Sequence, residues 1–597
     1  MPSLLNRSLR LWPLVPALLL LGIFMVYPVV ELLSVSFTDR TGRLSAESLN
    51  VFVQRPVYAK VLLSTFEISA WTTLICLFLA YPVSYYVASS SERVRNNLLL
   101  VILMPFWTGF LVRTCAWLIL LAPSGPLAHF AGWLGFQNVR LSYNLTGVLI
   151  GMSQALLPLA ILNMLPVMRN IDRNLMPAAA ILGARPAEAF WRVYFPLSLP
   201  GVSASGLLVF ITALGFFITP TILGGPQETM IAQIIIAQIQ ELLNWRFAGV
   251  LSLVLLASAL VVYYAYDRVL GVSTLVGERA QPGRLHVTRL FDSSLAAMSR
   301  AVLGLVGWAA STLGTGLGRL VPRYRAQRPK TTGVLVTVVG LILAFLVLPT
   351  FFVIPVSFTN STFLDFPPCG WTLRWYAEFI ESHAWTSATI RSLYVAAIVA
   401  VIAMVFGGTT AFAMVRERFW GRKLVMALIL SPLILPRMII AVALFYMVAR
   451  LQIVDTDLGL VIGHTIIAFP YVVITVMVGL QTYNRQFDQA AATLGASPAR
   501  TLLHVTLPLI RNSLLAAAIF AFMTSFDDLN IALFIAGGEQ STLPRQMWST
   551  MVLQATPILG VASTLLLILI SGFLLLAEMA RRHGRAGRRR SRAGAAA

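Results

Sequence analysis

Two adjacent carboxylates, Asp527 and Asp528, stand inside an otherwise apolar run, and a third, Glu67, lies near the outer end of another. A charged side chain at the centre of a membrane span costs about 2.5–3.5 kcal/mol on insertion scales, so such residues imply a partner or a wet cavity. Their chemistry is electrostatic, and two readings stand side by side. The aspartates make a structural hydrogen bond or pair with an arginine such as Arg437 to hold helices together; or, with Glu67, they face a central path and attract a cation. Gly215 and Phe216 occupy the matching positions earlier in the chain, so such a path is asymmetric. Catalytic chemistry finds no residues. There is no G-x-x-x-x-G-K-[ST] phosphate loop. The six histidines show no paired ligand spacing, and His464 reads as a packing residue. Cys76, Cys115 and Cys369 are scattered, which supports neither a disulfide framework nor a metal site, and they too read as packing residues. No catalytic residue, metal or cofactor is expected in this chain.

A second kind of signal is geometric. LGARPA at 182–187 returns as LGASPA at 494–499, 312 positions later. The surroundings read MPAAAILGARPAEAFWRVYFPLSLPG (176–201) and DQAAATLGASPARTLLHVTLPLIRN (488–512). Each predicts helix, turn, helix: an Ala-rich stretch ends at a Gly able to take positive φ, and Pro186 or Pro498 suits the first turn of the next helix. Ser497 is positioned to cap that helix. One such hairpin can simply join two spans; two copies at matched spacing to a downstream Pro point to a shared task.

These residues need elements to hold them, and composition says what kind. Hydrophobic residues make up 58% of the 597, charged residues 11%, and the mean hydropathy is +0.81, so the bilayer is the natural solvent. Apolar runs long enough to cross about 30 Å of hydrocarbon fall near 11–36, 62–88, 98–122, 145–168, 202–224 and 247–270, then 333–358, 391–415, 424–449, 458–482, 511–536 and 557–580. The first is read as a retained span, since it runs past a signal-peptide length without a small-residue cleavage site. With a cytoplasmic N-terminus, the inside segments include 267–330 at net +7 and 577–597 at net +6, against −2 for the outside segment 359–390. The outside segment 37–60, at +2, is an exception. These basic stretches read as topogenesis and attraction to anionic lipid, not as nucleic-acid binding. AVLGLVGWAASTLGTGLG (301–318), rich in Gly, Ser and Thr between Arg300 and Arg319, reads as surface-lying or loosely ordered linker and not as a thirteenth span.

The spans repeat. At an offset of 312, Gly147, Gly151, Pro158, Gly183 and Pro196 match Gly459, Gly463, Pro470, Gly495 and Pro508; at 327, Pro105 matches Pro432. Even-numbered sets of spans make parallel repeats that face each other across a central path. The expected division is a first six-helix repeat at 1–270, a basic cytoplasmic linker at 271–332, a second six-helix repeat at 333–580 and a basic cytoplasmic tail at 581–597.

The hexamer loops resemble the coupling motif of ABC importer permeases: Glu-Ala-Ala, three residues, Gly, then Pro thirteen residues beyond the Gly. Ala178, Ala179, Gly183 and Pro196 match in the first half, and Ala490, Ala491, Gly495 and Pro508 in the second. Pro177 and Gln489 stand where the motif has Glu, which leaves docking by shape without that residue's salt bridge. A finer resemblance separates the halves. TALGFFITPTILGGPQETMIAQIIIAQI (212–239) looks like the first permease subunit of spermidine/putrescine-type importers, and FDDLNIALFIAGGEQSTLPRQMWS (526–549) like the end of the second. Permeases for iron, sulfate, aminoethylphosphonate, thiamine and opines look similar in these regions. The resemblance implies an all-α integral membrane protein of about twelve transmembrane helices, two parallel six-helix repeats of the type I ABC importer permease fold fused in one chain. It implies a transport subunit and not an enzyme, with ATP and magnesium bound by two cytoplasmic ATPase subunits. A periplasmic or lipid-anchored binding protein would deliver a polyamine or related cation across a bacterial inner membrane, with both termini cytoplasmic. The remaining alternatives are an ion-driven secondary carrier, also commonly twelve-helical, and a membrane enzyme or scaffold, which lacks a convergent polar site here.

Overall fold

A computed structural model of the protein describes residues 12–39, 43–123, 125–136, 140–184, 186–270, 312, 331–417, 419–537, 540–569 and 571–572. Apart from residue 312, the expected linker up to residue 330, with its 301–318 segment, lies outside the described residues, as does the tail from 573 onward.

Everything regular among the described residues is helical apart from two isolated bridges, Thr38 with Leu44 and Thr359 with Trp371. The principal helices of the first half are α1 (Trp12–Val35), α2 (Pro56–Ser89), α3 (Glu92–Trp107), α4 (Phe110–Leu121), α5 (Leu145–Asn170), α6 (Leu175–Ile181), α7 (Phe195–Leu214), α8 (Ile218–Leu223), α9 (Ile231–Gln240) and α10 (Trp245–Leu270). The second half answers with α11 (Thr331–Val356), α12 (His383–Arg416), α13 (Arg422–Ile434), α14 (Arg437–Arg450), α15 (Asp457–Gln481), α16 (Gln486–Thr493), α17 (Leu507–Phe526), α18 (Asn530–Ile535), α19 (Leu543–Leu553) and α20 (Ile558–Leu569). The helices α2 and α12 start and end at an offset of 327, and α7, α8 and their partners at 312, so the internal matches of the sequence are matches of structure. Among the described residues ten helices are long and apolar enough to cross a membrane, or eleven if α13 and α14 form one bent span; α20 is shorter there.

Four expected spans are not single helices, and the run at 202–224 breaks between α7 and α8. The run at 98–122 divides at Thr108 and Gly109, and that at 424–449 divides at Leu435 and Pro436, where α13 and α14 meet at 99°. At the second break the reason is local: a residue before proline is driven out of the helical region, and Leu435 is extended at ψ 135. The run at 511–536 breaks between α17 and α18, so Asp527 and Asp528 sit at an interruption and not within a continuous helix.

In each half the same three helices form the core, α2 with α5 and α7, and α12 with α15 and α17. The opening helices are exchanged. α11 packs on α4, α2 and α3 of the first half, where Gln154 donates to the Leu346 carbonyl at 2.8 Å and Trp117 meets Phe345. α1 packs in return on α14 and α12, and Glu31 pairs with Arg450. Periodicity in the sequence carries no sign of this swap, because a helix apolar all round suits either neighbour equally.

Candidate functional site

The two hexamer loops close in the same way. α6 ends with Ala184 N–H on the Ala179 carbonyl and Gly183 N–H on that of Ala180, both at 3.0 Å; α16 ends with Ala496 on Ala491 and Gly495 on Ala492, again at 3.0 Å. These paired bonds are Schellman motifs, which require the residue after the cap to be left-handed. Gly183 has φ +87 and Gly495 φ +80, and a Cβ at either would meet nothing within 4 Å. Glycine is therefore demanded by the torsion and not by crowding.

Beyond each turn the chain enters a short helix, a π-turn (Phe190–Tyr194 and Leu502–Thr506), and then α7 or α17. Pro196 and Pro508 stand two residues beyond Tyr194 and Thr506, the ends of the π-turns, each as the second residue of α7 or α17. A helical proline lacks its N–H and crowds the carbonyl four residues back. The wider turn, closed by Phe195 N–H on Phe190 O and by Leu507 N–H on Leu502 O, accommodates that defect. Ser497 does cap its helix, accepting from Arg500 N–H at 3.4 Å; Arg185, its counterpart, lies outside the described residues. Ala178 and Ala490 face outward, Ala179 is half-buried and Ala491 buried. Pro177 and Gln489 are exposed. Leu182 and Leu494, the first residues of the hexamers, are each 87% exposed, a matched pair of apolar tips open to a partner.

The loops are fastened to the spans by one shared contact and one that differs. Arg173 donates to the Ala88 carbonyl at the end of α2, and Arg485 to that of Val415 at the end of α12. In the second half Asp488 adds a network: it accepts from Tyr483 at 2.7 Å, Thr506 at 2.9 Å and Arg416 at 2.8 Å. Burial beside Asp488 holds the Tyr483 phenol above its ordinary range, so it remains a donor at neutral pH. Met176 stands at the Asp488 position in the first half. There Tyr85 packs edge-on against Phe190 and Tyr194 at 5.5 and 4.9 Å. Sequence reasoning missed Asp488, since its partner Arg416 is 72 residues away with no local signature.

The acidic pair meets the other half of the molecule. Asp527 stands at the C-terminal cap of α17, and its carboxylate lies on Gly109, beside the Phe110 backbone N–H at the N-terminus of α4. That is where helix dipoles favour an anion. The pseudo-equivalent contact sets Gly215 on Pro436, at the start of α14: a Cβ on Gly215 would lie 2.9 Å from the proline ring. Asp528 is buried and accepts the Ile531 N–H at 2.8 Å, capping α18. Among the described residues its second oxygen has no hydrogen-bond partner, and His464, bonded to Ser525, brings its Nε2, likewise without one, to 3.7 Å from the oxygen that caps α18. Arg437 binds the Tyr471 hydroxyl and interacts with both aspartates. Arg113, fully buried one turn into α4, is held by the Ala155 carbonyl and the Phe110 ring and feels the Asp527 charge. The apolar run around Arg113 carried the same signal as that around the aspartates, an expensive charge in a span. Glu67 stands exposed on α2, and among the described residues no hydrogen bond or ion pair joins it to either aspartate. Cys76 and Cys115 are buried packing residues, as expected; Cys369 is exposed, because it lies in the loop between α11 and α12 and not in a span.

The model of the family described as binding-protein-dependent transport system inner membrane component matches this chain twice, at residues 80–271 and 403–584. The chain belongs to this family. Among its relatives, the spermidine/putrescine transport system permease protein PotB of Escherichia coli (strain K12) is 33% identical over 220 residues, covering 36% of this chain and 80% of the relative. The protein of that name in Haemophilus influenzae is 31% identical over 259 residues, 41% and 90% of the two chains. The putrescine transport system permease protein PotI of Escherichia coli (strain K12) is 32% identical over 246 residues, 40% and 87%. The permease is thus two family units in one polypeptide, a multi-pass transport subunit of an ABC importer and not an enzyme. That sets aside the secondary-carrier and scaffold readings. Partner ATPase and substrate-binding proteins follow from family membership.

Proposed function

We propose that this permease forms the path for a polyamine or closely related organic cation, driven by two ATPase subunits per chain, one at each hexamer loop. The observation that carries the coupling is the duplicated Schellman turn, with Leu182 and Leu494 equally exposed beside it. On this reading Ala178, Ala179, Gly183 and Pro196, with Ala490, Ala491, Gly495 and Pro508, shape two short transverse elements that seat in ATPase grooves. The π-turns pass movement on to α7 and α17. ATP and magnesium stay with the ATPases. The loop side is the cytoplasm, which puts both termini, the basic linker (271–332) and the basic tail (581–597) inside, and the binding protein docks opposite.

The names of the PotB and PotI relatives support the cargo, as does the pair Asp527 and Asp528 at a break facing the other half. Asp528 serves chiefly as the cap of α18, and Asp527, half-buried, is the carboxylate closer to a path between halves. Glu67, exposed on α2, is outside that pair. Copurification tests the assignment: native mass measurement should give two ATPase subunits for each permease chain. Proteoliposomes holding that complex should accumulate 1,4-diaminobutane or spermidine only with ATP inside and the binding protein outside. Two permease chains per complex, or uptake of sulfate and no amine, would overturn the stoichiometry or the cargo respectively.

A further inference from the structure

The break that holds Asp527 and Asp528 is one end of α18; the other end opens into a cavity of about 520 Å³ between the two halves. Trp245 enters from α10, Phe445 from α14, Phe534 from α18 and Trp548 from α19, with Asp455 and Arg545 among the polar lining. Two contacts fix Asp455. Its backbone N–H donates to the Ile535 carbonyl at the end of α18, at 2.8 Å, and its carboxylate lies against Gly537. Its left-handed φ of +58 aims the residue out of the α14–α15 connection.

The cavity lies on the face opposite the coupling loops. α15 begins two residues after Asp455 and ends five residues before α16, and its 25 residues span about 37 Å, enough to cross a bilayer. α18 then leads inward from the cavity to Asp528 over six residues, about 9 Å.

Duplication supplies an internal control. The first-half positions equivalent to Phe445, Phe534 and Trp548 are Leu118, Ile222 and Ile236, and that of Asp455 is Tyr143. Three rings and a carboxylate have thus accumulated at one of two related places, where an unselected hydrophobic contact would serve equally well with aliphatic residues. Aromatic faces and a carboxylate together are the surface that desolvates and holds an alkylammonium group. We propose that this cavity is the outer entrance site for an organic cation bearing alkylammonium groups, with Asp455 as counter-charge and the four rings as its walls. Arg545, one nitrogen of which is bound to the Ala532 carbonyl, interacts with Asp455 and offsets part of its charge. A transport path requires binding weak enough to release, and Arg545 sets that weakness.

The proposal rests on the import reading above, and the test separates the two. Ser549 lines the cavity. In a Cys369→Ser background, Ser549→Cys in the assembled transporter is labelled by a cationic aminoethyl and an anionic sulfonatoethyl thiosulfonate reagent. The cationic reagent should react faster by about fivefold, Asp455→Asn should abolish that preference, and Arg545→Gln should increase it. 1,4-Diaminobutane should protect the thiol, and the half-saturating diamine concentration for uptake should rise in Asp455→Asn and fall in Arg545→Gln. A merely structural pair would shift both variants in the same direction. If wild type imports the diamine but the reagents react alike and the diamine gives no protection, the site is wrong. If the thiol is protected and cation-selective but wild type imports no amine, the site stands and the cargo assignment fails.

Discussion

The two halves share a backbone and differ in what holds it. At the hexamer loop the first half packs Tyr85 against Phe190 and Tyr194, whereas the second gathers Tyr483, Thr506 and Arg416 on Asp488. At the breaks, Phe110 meets Phe216 edge-on at 5.3 Å in the first half; the equivalent positions in the second are Arg437 and Asp528, which interact as charges. The turn and the carbonyl anchors made by Arg173 and Arg485 are common to both. Backbone geometry is thus kept where a torsion demands it, while the side-chain fastening is free to be apolar on one side and ionic on the other. The practical consequence is that the second half should respond to salt and charge, and the first should not.

The largest effect is expected where the halves agree. Gly183→Arg and Gly495→Arg each force a side chain into left-handed backbone, at about 1–2 kcal/mol before any contact with a partner. Uptake should be lost with either, while membrane insertion survives. Gly183→Asn and Gly495→Asn, which tolerate that torsion, should retain most activity. Wild-type uptake by the double Arg variant at normal expression would remove the coupling assignment.

Next comes the break. Asp527→Asn keeps an acceptor for the Phe110 N–H and removes only the charge, so packing should persist while the half-saturating amine concentration rises about tenfold, the scale of one lost charge contact. Unchanged amine uptake would make Asp527 a helix cap and nothing more.

The fastening comparison predicts a smaller, directional pair. Asp488→Asn weakens a half-exposed network, and hydrogen bonds to charge contribute about 1.5–3 kcal/mol before discount for solvent, so coupling should fall several-fold. Raising ionic strength should reproduce part of that loss in wild type and none of it in Asp488→Asn. Tyr85→Leu forfeits ring pairs of about 0.5–1.5 kcal/mol each and should lower coupling without altering its salt dependence. Equal salt sensitivity of the two variants would erase the distinction drawn between the halves.

Cutting the linker should do least. Because α1 clasps the second half and α11 the first, fragments 1–290 and 325–597 should assemble when coexpressed and transport within about twofold of the intact chain, the interlocked helices replacing the effective concentration a tether supplies. Assembly without transport would give the linker a mechanical role.

Much was legible in the residues themselves, wherever the physics is local. The apolar runs, the duplicated loops, the positive-φ glycines, the Ser497 cap and the Pro after each loop all follow from torsions and hydropathy within a few residues. The expense of Asp527 and Asp528 in a span was also legible, though not its resolution. Only the folded chain decided that these aspartates lie at a break, that one caps α18 and the other meets α4, that Arg416 finds Asp488, and that α1 and α11 change places. Apart from the Asp528 cap, which spans only three residues, those outcomes depend on contacts between residues tens to hundreds of positions apart, and in a bilayer hydrophobic pattern cannot rank them, because lipid and a neighbouring helix are nearly the same solvent to an apolar face. What ranks them is the need to satisfy every buried polar group, which is settled only when the partners are in place.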